Sequence, residues 1–86
     1  MWHLYIVECA DKTLYTGVCI DVEKRIDEHN NSKLGAKYTR VRRPVRVVFS
    51  CECEDRSDAC RKEAAVKKLS RAEKLEVVES GILEKF

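Results

Sequence analysis

The segment LYTGVCIDVEKRIDEH, residues 14–29, carries three side chains that could take part in chemistry: Tyr15, Arg25 and His29. Arg25 and His29 are four residues apart, so they lie on the same face of a helix that contains both. A guanidinium offers planar donors to a phosphate, and a phenol or an imidazole can exchange a proton. Each residue also has a simpler interpretation, because strand tyrosines usually pack and the helix dipole favours histidine near a helix end.

Two residues outside this segment extend the set. Tyr5 lies in an apolar, β-branched stretch, and Glu63 lies in a later stretch with helical spacing. The Glu63 carboxylate could bind a hard cation such as Mg²⁺. It could equally form an ion pair with Lys67, four residues further along a helix. On the residues alone the ion pair is the simpler interpretation.

Positive charge is concentrated in one part of the chain. Residues 30–51 hold six basic side chains and no acidic one, although the net charge of the whole chain is only +2. A basic surface with an aromatic residue inside it suits phosphate contacts and base stacking. The alternative is a solvated loop that happens to be basic. We expect a nucleic-acid-binding surface formed by Lys33, Lys37, Tyr38, Arg40, Arg42, Arg43 and Arg46.

The elements that must position these residues follow from the apolar patterns. Strand patterns cover residues 2–9, 14–20 and 45–53. A helix should begin at the N-cap Asp21 and end near Asn31, with a loop over residues 32–44. A second helix follows residue 58, and a third begins at Ser70, where Ser70 and Glu73 form a capping-box sequence. Gly81 is suited to end this last helix.

This order, β-β-α-β-α-α, predicts an α+β fold with a small three-stranded antiparallel sheet flanked by helices. In the third strand, alternation places Val45, Val47, Phe49, Cys51 and Cys53 on one face. The length of 86 residues predicts one domain over residues 1–86.

Composition excludes several classes of protein. Hydrophobic residues make up 44% and charged residues 37% of the chain, as in a folded domain rather than a disordered one. No apolar stretch reaches the ~20 residues of a membrane span, and no secretion leader is evident, so we expect a cytoplasmic protein. Five cysteines in that setting indicate reduced thiols. Zinc binding by Cys51 and Cys53 is the alternative, although their spacing is shorter than in most structural zinc sites.

Taken together and in this order, the residues resemble the motifs of the GIY-YIG nuclease superfamily, especially its small stand-alone bacterial members. The segment His3-Leu4-Tyr5 matches the first motif and Tyr15-Thr16-Gly17 the second. Arg25 in DVEKRIDEH matches the family's helix arginine, and Glu63 in RKEAAVKKLSRAEK matches its metal-binding glutamate. The stretch GAKYTRVRRPVRVV is also typical of the stand-alone members. The resemblance covers residues 2–77.

The resemblance implies an endonuclease that uses Mg²⁺ or Mn²⁺ to cut DNA, whether duplex, branched or single-stranded. It implies Glu63 as the metal ligand and Arg25 as the phosphate-binding residue. Tyr15 would accept the proton of the attacking water with help from Tyr5, and His29 would orient the phosphate or share the proton. A chain with no room for a separate DNA-reading domain should have low sequence specificity, and its pathway could be DNA repair or recombination. The alternative is a non-catalytic nucleic-acid-binding module.

Two departures from the family pattern stand out. His3 occupies the position of the first motif's glycine, so close backbone approach at that point is lost or is not required. Some members of the superfamily place a late asparagine in the site, whereas this chain has asparagine only at positions 30 and 31. Neither departure affects the tyrosine, arginine and glutamate set.

A shared site requires Tyr5 and Tyr15 to face the same side of the hairpin. A two-residue loop at positions 11–12 would place them on opposite faces, because side chains alternate along a strand. We therefore expect a loop of odd length or a bulge at residues 10–14. That arrangement would pair Tyr15 with Cys9 and Tyr5 with Cys19.

Overall fold

The computed structural model describes residues 1–83, which form three strands and four helices. The predicted order of strands and long helices is confirmed, and the segment predicted as a loop also contains a single helical turn. No helix within residues 1–83 is long and apolar enough to cross a bilayer. The elements are β1 (Trp2–Glu8), β2 (Leu14–Cys19), α1 (Val22–Asn31), α2 (Lys37–Arg40), β3 (Arg46–Cys53), α3 (Arg56–Lys67) and α4 (Arg71–Ser80).

Strands β1 and β2 form an antiparallel hairpin with a three-residue loop at positions 10–12. The Cys9 N–H donates to the Thr13 carbonyl at 2.8 Å, and Lys12 takes the left-handed conformation with φ of 71°. The predicted odd loop is therefore confirmed, and Tyr5 and Tyr15 lie on the same face. The predicted partners are wrong by two residues, because the loop centres on residue 11: Tyr15 pairs with Val7, and Tyr5 with Gly17.

Strand β3 pairs antiparallel with the other edge of β1, which gives the sheet order β2-β1-β3. The register shifts between Ile6 and Val7, so that Phe49 pairs with Ile6 and Val47 with Val7. One extra residue of β3 lies in this bulge and interrupts the alternation of its side chains. The expectation that the odd-numbered residues of β3 share one face is therefore wrong. Val45 packs on one face of the sheet, Phe49 packs on the other, and Val47 is 42% exposed.

The two faces of the sheet carry separate cores. On one face, Leu4, Ile6 and Phe49 pack with Ala59 of α3 and Val77 of α4. The opposite face carries Tyr5, Val7, Cys9, Cys19 and Val45, with Val22 and Ile26 of α1 packed against them. The sheet is thus covered by α1 and α2 on one side and by α3 and α4 on the other. The five cysteines are free thiols, buried at positions 9, 19 and 53, half-buried at 51 and exposed at 60.

Helix ends follow the capping residues expected from the sequence. The Asp21 carboxylate accepts the Lys24 N–H at 3.1 Å and begins α1. In α4 both bonds of the capping box form between Ser70 and Glu73, and Gly81 ends the helix with φ of 71°. The caps at Asp21 and Ser70 satisfy backbone N–H groups that have no partner inside the helix, and the Gly81 N–H donates to the Val77 carbonyl at the end of α4.

Candidate active site

Tyr5 and His29 form a buried pair between the sheet and α1. The Tyr5 hydroxyl lies 2.7 Å from His29 Nε2, and the two rings meet edge to face with centroids 5.7 Å apart. Both side chains are almost fully buried. Tyr15, the cross-strand neighbour of Val7, presents its ring to His29 at a centroid distance of 5.5 Å. We call Tyr5, Tyr15 and His29 the phenol cluster.

The cluster continues to the protein surface through Tyr15. The Tyr15 ring is half-buried and stacks on Tyr38 of α2, with ring centroids 5.8 Å apart and planes inclined by 21°. Tyr38 is 37% exposed, and the Arg42 guanidinium lies 3.9 Å from its ring centroid. A phosphate could therefore approach the cluster at Tyr15, but not at the enclosed His29.

Gly17 makes room for the Tyr5 ring. The glycine pairs with Tyr5 across the hairpin, and a Cβ atom at this position would overlap the Tyr5 hydroxyl and ring. The contact is with the ring of a side chain that is only 1% exposed. The Tyr5 ring of the first motif therefore explains why the second motif has a glycine at position 17.

Gly17→Ala should lower the free energy of unfolding by about 1–3 kcal/mol, because a methyl group is forced into a packed site. Urea unfolding of the variant measures the loss. In the double variant Gly17→Ala/Tyr5→Leu, the ring that causes the overlap is gone, so its loss should be smaller than the sum of the two single losses. Strictly additive losses would show that Gly17 is required for a different reason.

Arg25 lies on α1 beside the phenol cluster. Its Nη1 atom donates to the Glu28 carboxylate at 3.0 Å and to the Leu34 carbonyl at 2.8 Å, which fixes the guanidinium between α1 and the following segment. Arg25 also borders a surface groove of about 440 Å³ at the β2 edge of the sheet. Other lining residues of the groove are Trp2, Val18, Asp21, Lys24 and Glu28.

Glu63 lies on α3, on the other side of the sheet from the phenol cluster. Ala59 and Val66 of α3 are buried against the sheet, and the spacing of a helix places Lys62 and Glu63 on the two flanks of this stripe. Lys62 lines a cavity together with Phe49 and other residues of β3. The flank that carries Glu63 therefore faces the opposite edge, formed by β2.

The groove beside Arg25 lies at that same edge. Arg56, two helical turns before Glu63 on the same flank of α3, holds its guanidinium carbon 5.8 Å from the centre of the Trp2 ring, which lines the groove. The Glu63 side chain is 24% exposed and pairs with Lys67 at 3.4 Å, as predicted. Within residues 1–83 the structure gives no contact between Glu63 and Arg25. Four of the five predicted catalytic residues are thus brought together, and Glu63 lies on the flank of α3 that faces their edge of the sheet.

Glu63 is compatible with Mg²⁺ or Mn²⁺ in a limited sense. Among residues 1–83 no three His, Cys, Asp or Glu side chains converge as a metal-binding group. A single carboxylate is nevertheless a usual protein contribution to a Mg²⁺ site, where waters and substrate phosphates supply the other ligands. The donor set fits an ion that binds together with a phosphate.

Burial sets the protonation of the phenol cluster. It raises the pKa of Tyr5 to about 12, a rise that the adjacent Arg25 guanidinium opposes. Burial, reinforced by the positive charge of Arg25, lowers the pKa of His29 to about 4. His29 is therefore neutral near pH 7, and with no exposed surface it cannot make the direct phosphate contact that the sequence suggested. Its Nε2 atom contacts the Tyr5 hydroxyl instead.

The depressed pKa of His29 predicts a loss of stability in mild acid. Between the unfolded pKa of ~6.5 and the folded value, the unfolded chain binds more protons, so the free energy of unfolding falls as the pH falls. The loss attributable to His29 should be about 2 kcal/mol between about pH 7.5 and 5.0. Denaturant unfolding at both pH values measures it, with His29→Gln as the comparison. An equal loss in the variant would show that His29 is not the group responsible.

The basic segment divides into structural and exposed residues. Arg43 is structural, because it donates to the carbonyls of His29, Glu28 and Ser32 at the end of α1. Its predicted role in binding nucleic acid is therefore not supported by its contacts.

The other basic residues remain at the surface. Arg42 pairs with Asp11 at 3.0 Å, and Arg46 pairs with Glu8 at 3.0 Å, so each has a partner that a phosphate would have to replace. The exposed basic residues of the segment are Lys33, Lys37, Arg40 and Arg46, and the first three lie close in sequence to Tyr38. Because Tyr38 stacks on Tyr15, this part of the chain carries its positive charge close to the exposed side of the phenol cluster.

Two polar residues in contact with these elements were missed by sequence reasoning. Thr39 is fully buried and its hydroxyl lies 2.8 Å from His29 Nδ1. Asn30 joins α1 to the start of β3, because its side chain accepts the Val45 N–H at 2.7 Å and donates to the Val45 carbonyl at 3.0 Å. Neither residue has a sequence signal of its own, since each contact depends on how the segment after α1 folds back.

Comparison with known proteins identifies the family. A family model described as the GIY-YIG catalytic domain matches residues 1–76. A UPF0213 protein of Syntrophus aciditrophicus is 51% identical over 79 residues, which cover 92% of this chain and 91% of the relative. A UPF0213 protein of Halobacterium salinarum is 47% identical, with coverage of 86% and 95%.

A solved structure shows the same fold. The solution NMR structure of the UPF0213 protein BH0048 from Bacillus halodurans is 44% identical to this chain and superposes with a TM-score of 0.59. The match covers 92% of this chain and 84% of that one. A GIY-YIG catalytic domain implies a nuclease-type function with DNA as the substrate. The chain therefore belongs to the GIY-YIG family, in which its relatives are the small stand-alone UPF0213 proteins.

Proposed function

We propose that this protein is a divalent-metal-dependent DNA endonuclease of low sequence specificity that acts in the cytoplasm, in DNA repair or recombination. The observation that carries the proposal is the convergence of Tyr15, Arg25 and the Tyr5–His29 pair next to an exposed basic surface. A cluster with a purely structural role would not need a guanidinium beside its phenols. It would also not need lysines at its exposed side.

The chain's own residues divide the work of phosphodiester hydrolysis. Arg25 binds the scissile phosphate and offsets the negative charge that grows as the water attacks. Tyr15, at the accessible side of the cluster, orients the attacking water. In its phenolate form Tyr15 accepts the water's proton as the P–O bond to the leaving oxygen breaks. Tyr5 and His29 pack against the buried side of Tyr15. Both are neutral near pH 7, so they add no charge that would compete for the phosphate.

The exposed basic residues hold the DNA backbone. Lys33, Lys37 and Arg40 bind flanking phosphates without reading bases, which accounts for low sequence specificity. Tyr38 offers an aromatic surface beside them. Binding should therefore weaken steeply as salt is added.

Glu63 is the residue that would hold Mg²⁺ or Mn²⁺, in exchange for its ion pair with Lys67. When bound, the ion would supply positive charge at the phosphate and lower the pKa of a coordinated water. The position of Glu63 on the α3 flank that faces the groove edge supports this assignment.

The test is a cleavage panel of duplex, nicked, flap and single-stranded DNA together with RNA, each with Mg²⁺ or Mn²⁺. Glu63→Gln should lower the cleavage rate by at least ~10²-fold, because the charge that retains the metal is lost. Glu79→Gln, an exposed site on α4, is the matched control and should cleave at the wild-type rate.

Equal cleavage by the wild type and Glu63→Gln would contradict the metal-ligand assignment. The second candidate function, a non-catalytic nucleic-acid-binding module, rests on the same exposed lysines. It would be favoured if DNA binding depended on salt, persisted in Glu63→Gln and led to no turnover with either metal.

A further inference from the structure

Thr39 makes a buried contact with the candidate site and is not among the tyrosine, arginine and glutamate residues of the family motifs. The side chain is fully buried on the one-turn helix α2, and its hydroxyl oxygen lies 2.8 Å from His29 Nδ1. His29 Nε2 lies 2.7 Å from the Tyr5 hydroxyl on the other side of the ring. A neutral imidazole carries one N–H, so one ring nitrogen of His29 donates and the other must accept. The partner of Nδ1 therefore decides what Nε2 can do toward Tyr5.

The surroundings of Nδ1 decide which nitrogen carries the hydrogen. The Ala36 N–H donates to Nδ1 at 3.4 Å, which requires a lone pair on that nitrogen. The Thr39 hydroxyl could instead donate to the Ala36 carbonyl at 2.9 Å. That carbonyl already accepts the backbone N–H groups of Thr39 and Arg40, each at 3.1 Å, so it does not need a third donor.

If the Thr39 hydroxyl donated to the Ala36 carbonyl, its oxygen could only accept from His29, so Nδ1 would have to carry the hydrogen. The Nδ1–H group would then face the Ala36 N–H, and two donors would be opposed. With the hydroxyl hydrogen on Nδ1, both the Thr39 hydroxyl and the Ala36 N–H have an acceptor. In this arrangement neither the Thr39 hydroxyl nor the Ala36 N–H faces another donor.

We propose that Thr39 is a positioning residue that holds His29 in the tautomer with hydrogen on Nε2, so that the imidazole donates to the Tyr5 oxygen. As a role in the reaction, this inference rests on the proposed nuclease function. The Tyr5 hydroxyl hydrogen is then not donated to His29 and is left for another acceptor inside the phenol cluster. In the opposite tautomer the Tyr5 hydroxyl would donate its hydrogen to His29, and Tyr5 would contribute only packing.

Nitrogen-15 NMR of the histidine rings in the full-length protein tests the tautomer directly. The expected result is a hydrogen bonded to Nε2 of His29 and an unprotonated Nδ1 at neutral pH. A hydrogen on Nδ1 would overturn the inference, whether or not the protein cleaves DNA.

Variants of Thr39 test whether this residue holds the tautomer. Thr39→Val keeps the shape but removes the hydroxyl, which leaves Nδ1 only the longer contact with the Ala36 N–H. The His29 signals should therefore move to a mixture of the two tautomers, and the cleavage rate should fall about 10- to 100-fold. Thr39→Ser should restore both, and it also serves if the valine variant folds poorly. An unchanged tautomer in a folded Thr39→Val would overturn the role of Thr39. Absence of cleavage in every form, with the expected tautomers, would instead refute the proposed nuclease function.

Discussion

Arg25→Ala should lower the rate of DNA cleavage by about 10²- to 10³-fold, the usual cost of removing one donor that stabilises charge in a transition state. Arg25 is the guanidinium beside Tyr5, and it also borders the groove at the β2 edge. Arg25→Lys should recover little of the rate, because an ammonium cannot present planar paired donors. Single-turnover cleavage of a labelled oligonucleotide measures the effect.

The control for Arg25 is Arg40→Ala. Arg40 is exposed, and its guanidinium donates to the Lys33 carbonyl. Among residues 1–83 it has no side-chain contact with the phenol cluster, so this variant should weaken binding and leave the single-turnover rate at saturation unchanged. Arg25 also anchors the Leu34 carbonyl, so circular dichroism must confirm that the variant is folded. A folded Arg25→Ala that cleaves at the wild-type rate would remove Arg25 from the mechanism.

Tyr15→Phe should lower the cleavage rate by about 10²- to 10⁴-fold, the range for loss of a group that transfers a proton in the transition state. Phenylalanine keeps the ring contacts with His29 and Tyr38, so only the hydroxyl is removed. The single-turnover cleavage rate at saturating DNA measures the effect.

Tyr38→Phe is the matched control for Tyr15→Phe. It makes the same chemical change one ring further out in the stack, at a hydroxyl that is not in the phenol cluster. Its rate should remain close to that of the wild type. A Tyr15→Phe variant as active as Tyr38→Phe would show that the Tyr15 ring only packs.

The parts of the fold that follow from local rules were predictable from the sequence. Asp21, Ser70 and Gly81 mark helix ends through hydrogen bonds or backbone conformations that depend only on near neighbours. The odd hairpin loop was also predictable, because two tyrosines of one site must share a face. Its exact partners were not, since moving the loop by one residue preserves the face and changes every pair.

Other parts depend on long-range packing and gave no sequence signal. The bulge in β3 puts Val45 and Phe49 on opposite faces of the sheet. Nothing in an alternating apolar strand indicates where an extra residue will be accommodated. The burial of His29 and the structural use of Arg43 both result from the segment after α1 folding back over that helix. Residue type predicted the chemistry of these side chains but not their exposure.

The most direct measurement of the central claim is NMR mapping of DNA binding without metal, so that no cleavage occurs. An oligonucleotide titrated into the protein in EDTA should shift the signals of Tyr15, Arg25, Lys37 and Tyr38 most strongly. Those shifts would place the DNA backbone on the basic surface and at the open side of the phenol cluster. Shifts confined to α4 or to the exposed face of α3, with Tyr15 and Arg25 unchanged, would contradict the claim that this cluster is a phosphodiester site.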